Sequence, residues 1–61
     1  MKFRVMYWND REDHEVFGKT YEAADECNAE EMFYADEDCQ SAIEEFDDTY
    51  PMLINNLDKD I

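Results

Sequence analysis

Residues 2–8, KFRVMYW, alternate between two kinds of side chain with a period of two. Phe3, Val5 and Tyr7 share one face of this stretch, and the other four residues, including Trp8, share the opposite face. A period of two is typical of a β-strand, because successive side chains of a strand point to opposite sides of the sheet. The stretch therefore predicts an N-terminal strand with an apolar face on which a core can form.

Three further stretches indicate short strands. Polar, turn-like residues occupy 9–13, and residues 14–17, HEVF, come just before Gly18, so we expect a second strand that closes a hairpin with the first. Residues 32–35, MFYA, form an aromatic run that favours another strand. Residues 52–54, MLI, with Leu57, predict a last strand after Pro51.

A helical period begins at Thr20, which is a preferred type of N-cap residue. At 100° per residue, Tyr21, Ala24 and Cys27 fall on one side of this predicted helix. Four acids fall on the opposite arc: Glu22, Asp25, Glu26 and Glu30. The sequence therefore predicts a short amphipathic helix with a thin apolar face and an acidic outer face.

A second and stronger helix is predicted to begin after Asp36 as its N-cap and to stop before Pro51. Its apolar residues recur at i, i+3, i+4 and i+7, namely Cys39, Ala42, Ile43 and Phe46. Its outer row is Glu37, Ser41, Glu44 and Asp48, flanked by Asp38 and Glu45. Asp47 and Asp48 lie at the negative end of the helix dipole, where each carboxylate is expected to cost a few tenths of a kcal/mol.

These elements predict a single domain over residues 1–61 of the α+β class. We expect a small, largely antiparallel sheet of three or four strands with one or two amphipathic helices on one face. A chain of 61 residues buries only roughly 60% of its unfolded surface, so a deep enclosed active site is not expected.

The composition combines strong acidity with many core-forming residues. The chain has 18 Asp or Glu against 5 Lys or Arg, for a net charge of −13, yet 44% of it is hydrophobic and 15% aromatic. Charges cancel over residues 1–19, whereas residues 20–58 hold all the excess, with 13 carboxylates and no Lys or Arg. Nucleic acid and anionic membrane are themselves polyanions, so this excess disfavours direct binding to either.

Other signals of function are absent from the sequence. No stretch has the apolar run of a signal peptide or of a membrane span, so we expect a cytoplasmic protein in which Cys27 and Cys39 are reduced and serve as small buried hydrophobes. These two cysteines and His14 do not complete a four-ligand zinc site. No phosphate-binding loop or activated nucleophile is present, so we expect no metal, no cofactor and no enzymatic activity.

The density of negative charge suggests a class of partner. Thirteen net charges over roughly 4,000 Å² give about one per 300 Å², against about one per 100 Å² on duplex DNA. If most of these charges share one half of the surface, the density rises to about one per 150 Å². Acids without compensating bases repel one another, and a surface that served solubility alone would intersperse Lys. We therefore expect a basic partner protein.

In size, charge and aromatic-rich composition, the chain resembles the small acidic bacteriophage proteins that inhibit host DNA-acting enzymes by mimicking DNA. That class includes anti-restriction proteins, anti-CRISPR proteins and inhibitors of uracil-DNA glycosylase. The resemblance involves no shared motif, and it implies a basic, nucleic-acid-binding host enzyme as the partner in the host cytoplasm. The predicted contact residues follow from the helix arcs alone: Glu37, Asp38, Glu44, Glu45, Asp48, Glu22, Asp25, Glu26 and Glu30.

An alternative from another class is an inhibitor, adaptor or antitoxin that binds a host protein, for example RNA polymerase, without mimicry. Its contact would be a sheet edge or exposed aromatics. If the helices cover one face of the sheet, either Phe3, Val5 and Tyr7 or the set with Met6 and Trp8 is left exposed, and Trp is enriched at binding hot spots. Trp8 could equally be a packed core residue. A dimer is compatible with the sequence, which leaves the oligomeric state open.

Overall fold

The computed structural model describes residues 1–58, which form a three-stranded sheet with a helical layer on one side. The elements in chain order are β1 (Lys2–Asn9), β2 (His14–Glu22), α1 (Glu26–Ala35), a 3-10 turn (Glu37–Cys39), α2 (Gln40–Phe46) and β3 (Met52–Asn56). The predicted α+β class is confirmed. The molecule is a slab with extents of 30 × 26 × 14 Å.

The sheet has the strand order β2-β1-β3, and both pairings are antiparallel. The predicted N-terminal strand is confirmed and is the central strand of the sheet, where it pairs along its length with β2. A β-bulge interrupts this ladder, because Tyr7 lies opposite Phe17 but Trp8 lies opposite Glu15. The bulge lets Val16 and Phe17 both pack against the core, and it places Glu15 beside Trp8 on the opposite side of the sheet.

We call the side of the sheet that the helices cover the closed face. Phe3, Val5 and Tyr7 lie on it and are at most 2% exposed. The ring of Phe33 from α1 packs edge-on against Tyr7 with 5.7 Å between centroids, and Phe46 from α2 lies 6.2 Å from Tyr7. Both helices therefore share one core, and burying each large side chain contributes about 1.5–3 kcal/mol.

The first helix begins later than the sequence predicted. Thr20 is not an N-cap, because β2 continues to Glu22, which pairs with Lys2 at the far end of β1. The N-cap is Asp25, whose carboxylate accepts a hydrogen bond of 2.8 Å from the backbone N–H of Asn28. Pairing with a central strand outweighs the weak helical signal of this stretch, and Thr and Tyr side chains also favour strands.

The strand predicted at 32–35 is wrong, because these residues form the last turn of α1. Ala29 and Phe33 are fully buried, and they lie one helical turn apart on the same side of the helix. This apolar face is narrow, but Phe33 contacts the rings of Tyr7, Phe17 and Tyr21. Tertiary packing therefore stabilises a helix that has a weak apolar period of its own.

The prediction for the second helix is largely confirmed. The carboxylate of Asp36 accepts the backbone N–H of Asp38 at 2.9 Å and caps the 3-10 turn that leads into α2. Cys39 and Ala42 are buried, as the apolar period predicted. The helix ends at Phe46, well before Pro51, and a turn connects it to β3.

The two cysteines differ in their burial. Cys39 is buried, but Cys27 is exposed. The buried side of α1 carries Ala29 and Phe33, so the side of the helix on which Cys27 lies is not the apolar one that the sequence predicts.

No helix in residues 1–58 is both long enough and apolar enough to cross a bilayer.

Candidate interaction surface on the helix layer

Several of the acids in residues 20–58 serve the fold itself. Asp25 caps α1, and Asp58 accepts the backbone N–H of Lys2 at 2.7 Å. Asp36 accepts hydrogen bonds from the Lys19 ammonium at 2.5 Å and from the Tyr21 hydroxyl at 2.7 Å. These two hydrogen bonds favour the ionised carboxylate and lower the pKa of Asp36 to about 2.

Asp47 is the acceptor for two tyrosines. Its Oδ1 accepts the hydroxyl of Tyr7 at 2.9 Å and the hydroxyl of Tyr34 at 3.0 Å. Burial, followed by these hydrogen bonds, raises the pKa of both tyrosines. The sequence predicts that a carboxylate at the C-terminal end of α2 is destabilising. In the structure, the Asp47 carboxylate links β1, α1 and the end of α2 through these two hydrogen bonds.

The remaining acids of the helical segment are exposed and form what we call the acidic surface. They lie on α1, on the 3-10 turn, on α2 and on the turn that follows α2. Its members are Glu26, Glu30, Glu31, Glu37, Asp38, Glu44, Glu45 and Asp48. Seven of these eight residues were predicted from the sequence as partner contacts.

Glu31 is the member that the sequence analysis missed. The helix phase set by buried Ala29 and Phe33 puts Glu31 on the opposite, outermost side of α1. Glu30 lies on the flank nearer Tyr34, and its charge is one of the influences that raise the Tyr34 pKa. The i, i+4 spacing of Ala29 and Phe33 is the signal that could have revealed this phase.

Two predicted contact residues, Glu22 and Asp25, are not part of the acidic surface. Glu22 ends β2, opposite Lys2 in the register, and its carboxylate lies 3.4 Å from the N-terminal amine. Asp25 is engaged as the cap of α1. The predicted arc of Glu22, Asp25, Glu26 and Glu30 is therefore wrong, because its first member is in a strand and its second precedes the helix.

The straight row predicted on the second helix is also interrupted. Glu37 lies in the 3-10 turn and Asp48 lies beyond the end of α2, so Glu44 and Glu45 are the acids of this set that α2 itself carries. A 3-10 turn rises about 2.0 Å per residue instead of 1.5 Å, which lengthens the spacing between Glu37 and Glu44. All of these carboxylates nevertheless remain exposed on the helical layer.

Lys19 is the base that reaches the edge of the acidic surface. Its ammonium donates to Asp36 and, at 3.2 Å, to Asp38, and the hydrogen bonds to these two carboxylates raise its pKa. Residues 20–58 themselves include no Lys or Arg, so Lys19, which precedes this segment, compensates charge at its edge. The eight carboxylates lie on one side of a molecule whose accessible surface is 4365 Å², so the acidic surface carries about one carboxylate per 270 Å² of that half, against about one per 100 Å² on duplex DNA.

The opposite side of the sheet, which we call the open face, has no helix packed on it among residues 1–58. Met6 and Trp8 of β1 lie on this face and are half-buried, and Leu53 of β3, opposite Met6 in the register, is 44% exposed. Trp8 does not belong to the core cluster, so it is not the packed core residue that the sequence left as one alternative, and its role in an interface stays a prediction.

A cleft and an exposed histidine lie outside the acidic surface and the open face. A cleft of about 340 Å³ is lined by residues 9–12 and 49–51, none of which belongs to the acidic surface. His14 is exposed and bonds to the Glu15 carbonyl and the Glu12 carboxylate, which together raise its pKa. Within residues 1–58, no three His, Cys, Asp or Glu side chains converge as a metal site would require.

Comparisons with family models, with curated proteins and with solved structures find no match to this chain. The function must therefore be argued from the acidic surface and the open face themselves.

Proposed function

We propose that the protein is an acidic inhibitor that occupies the basic nucleic-acid-binding cleft of a host DNA-processing or defence enzyme by DNA mimicry. The observation that carries the proposal is the concentration of eight exposed carboxylates on the helical layer, in a segment of residues 20–58 that contains no Lys or Arg and has Lys19 at its edge as the compensating base. The resemblance to small acidic bacteriophage inhibitors supports the same function. The expected location is the cytoplasm of the host.

The mechanism is competitive occlusion and needs no catalytic step or cofactor. Long-range attraction would steer the acidic surface into a cleft lined by Lys and Arg, and docking would release the counter-ions held there. Nucleic acid would then be excluded by mass action. The anchoring of Asp36 and Asp47 supports this mechanism, because each fixes the backbone beside exposed acids and so limits the ordering entropy that binding costs.

The test uses the protein as bait for a bacterial lysate at low salt, with elution by a duplex DNA oligonucleotide. A captured DNA-binding enzyme should be released by the duplex. Its association rate should fall by about tenfold or more from low to high salt, because exposed charges are screened within about 10 Å at 0.1 M.

The matched variants change the same number of charges in different places. Joint substitution Glu44→Lys, Glu45→Lys and Asp48→Lys should abolish capture, because it reverses charge on the acidic surface. Joint substitution Asp10→Lys, Glu12→Lys and Glu22→Lys also brings the net charge from −13 to −7, but at exposed positions outside that surface. Equal capture by both variants, or a partner that duplex DNA does not displace, would exclude mimicry.

A second candidate function is an inhibitor or adaptor that binds a host protein through the open face. Half-buried Trp8 and Met6 and exposed Leu53 favour it, because Trp is a frequent hot-spot residue. Such a partner would remain bound during the salt step and would be lost on Trp8→Ala, whereas the triple reversal on the acidic surface would leave it bound.

A further inference from the structure

The open face has an apolar centre. Met6 of the central strand lies between Gly18 of β2 and Leu53 of β3 in one cross-strand row. Trp8 occupies the next row on the same face, two residues along β1. Half-buried Met6 and Trp8 and exposed Leu53 form an apolar patch on β1 and β3, on which no helix of residues 1–58 packs.

An ion pair lies beside this patch on the open face. The Glu15 carboxylate lies where the side chain of residue 18 would be, since a Cβ on Gly18 would come within 2.9 Å of it. There it accepts two hydrogen bonds from the Arg4 guanidinium, of 3.1 Å and 2.7 Å. Both charged side chains are about one-third exposed and pair with each other over the sheet. The face can therefore be covered without leaving either charge unpaired.

The charges of the open face balance, unlike those of the whole chain. By the strand register, its ionisable side chains are Lys2, Arg4, Glu15 and Glu22, two of each sign. The acidic surface on the opposite side carries eight carboxylates, one of which pairs with Lys19. A second copy of this strongly acidic chain can therefore approach through the open face without setting one group of acids against another.

The size of the face also fits a second copy. A 30 × 26 Å side offers at most about 800 Å² per partner, which is the standard size of a stable protein interface. Two flat sheets pack about 10 Å apart with interdigitated side chains. We propose that the protein forms a symmetric dimer in which the two open faces pack together and the two acidic surfaces point outward.

In this dimer Trp8 and Leu53 become buried, and each copy presents its acidic surface to solvent. The inference goes beyond the proposed function, because it concerns the other side of the sheet and a different partner. Salt should affect this dimer and the capture of a basic partner in opposite directions. Screening weakens the repulsion between two chains of −13, so salt should strengthen the dimer, whereas it weakens capture by a basic partner.

The first test needs no variant. Sedimentation equilibrium should give twice the 7.4 kDa chain mass at high concentration and the single mass on dilution. Trp8 is the single Trp of the chain, so its emission should shift to the red over the same dilution range. The dissociation constant should fall by about tenfold between low and high salt, as repulsion beyond the Debye length is removed.

The second test compares two variants with the same change in charge. Leu53→Glu places a carboxylate in the middle of the interface and should yield a monomer, whereas Ser41→Glu adds the same charge to exposed α2 and should leave the dimer intact. Trp8→Ala should weaken the dimer by about 30-fold, the effect expected of a hot-spot residue. Circular dichroism of each variant checks that the fold is retained.

A single mass of 7.4 kDa at every concentration and salt would overturn the dimer. A dimer that Leu53→Glu leaves intact would overturn this interface and indicate pairing through a strand edge instead. A monomer that captures another protein through Trp8 would assign the open face to that partner. None of these outcomes alters the test of the acidic surface, so the two proposals can fail separately.

Discussion

The two faces of the sheet come from the same strand but differ in what covers them. Tyr7 points to the closed face, where it is fully buried, contacts Phe33 and Phe46 and donates to Asp47. Trp8, the next residue, points to the open face and lies outside the core. The closed face therefore holds the fold together, whereas no helix of residues 1–58 packs on the open face. The strand alternation alone could not tell which face was which.

The largest expected effect contrasts these two neighbours. Tyr7→Ala should cost about 3–5 kcal/mol of unfolding free energy, because it removes a buried ring and leaves a core cavity. That loss is comparable with the whole stability of a domain of this size, so the variant should be unfolded. Trp8→Ala should cost about 1 kcal/mol or less in the monomer. Urea unfolding followed by circular dichroism at low protein concentration measures both, and similar losses would refute the distinction between the faces.

A smaller effect distinguishes two adjacent acids at the end of α2. Asp47→Ala should cost about 1–3 kcal/mol, because the hydroxyls of Tyr7 and Tyr34 would lose their acceptor. Asp48→Ala should be neutral or slightly stabilising, since it removes an exposed carboxylate near the negative end of the helix dipole. Thermal unfolding of the pair measures the difference. If Asp48→Ala destabilised the protein as much as Asp47→Ala, the structural role assigned to Asp47 would be wrong.

The smallest expected effect is that of adding a side chain at Gly18, under the Glu15 carboxylate on the open face. Gly18→Ala would place a Cβ against the Glu15 carboxyl, which is the mobile end of a side chain and can move aside. The strain should be offset by the lower entropy of the unfolded chain, so the unfolding free energy should change by less than about 1 kcal/mol. The NMR signal of the Arg4 Nε–H should shift as the Arg4–Glu15 pair is displaced. An unchanged signal would show that Glu15 does not lie over Gly18.

Much of the fold could be predicted from the sequence where a strong local period coincided with the final environment. The N-terminal strand, the cap at Asp36 and the burial of Cys39 and Ala42 belong to this group. The errors lie in residues 20–35. There the local pattern was weak, and pairing of Glu22 with Lys2 and packing of Phe33 among three aromatic rings decided the outcome.

The acidic surface was predictable to a similar extent. The number of acids and the absence of bases predict an exposed acidic surface, and seven of its eight members are among the residues that the sequence predicts as partner contacts. The roles of Asp25, Asp36 and Asp47 could be assigned only in part. The sequence does not distinguish an aspartate that is solvated from one that accepts a hydrogen bond from a buried hydroxyl. Asp47 receives hydroxyls from residues 40 and 13 positions away, which no local pattern reveals.

The sequence by itself determined the α+β class, the N-terminal strand and the concentration of negative charge in residues 20–58, because these depend on composition and short-range period. The tertiary structure alone decided that this strand is central, that Glu22 extends β2, that Glu31 faces outward and that Trp8 lies on the face without a helix among residues 1–58. Those features depend on which residues meet across long separations along the chain. Local propensities of a few tenths of a kcal/mol are outweighed there by the burial of a single aromatic ring.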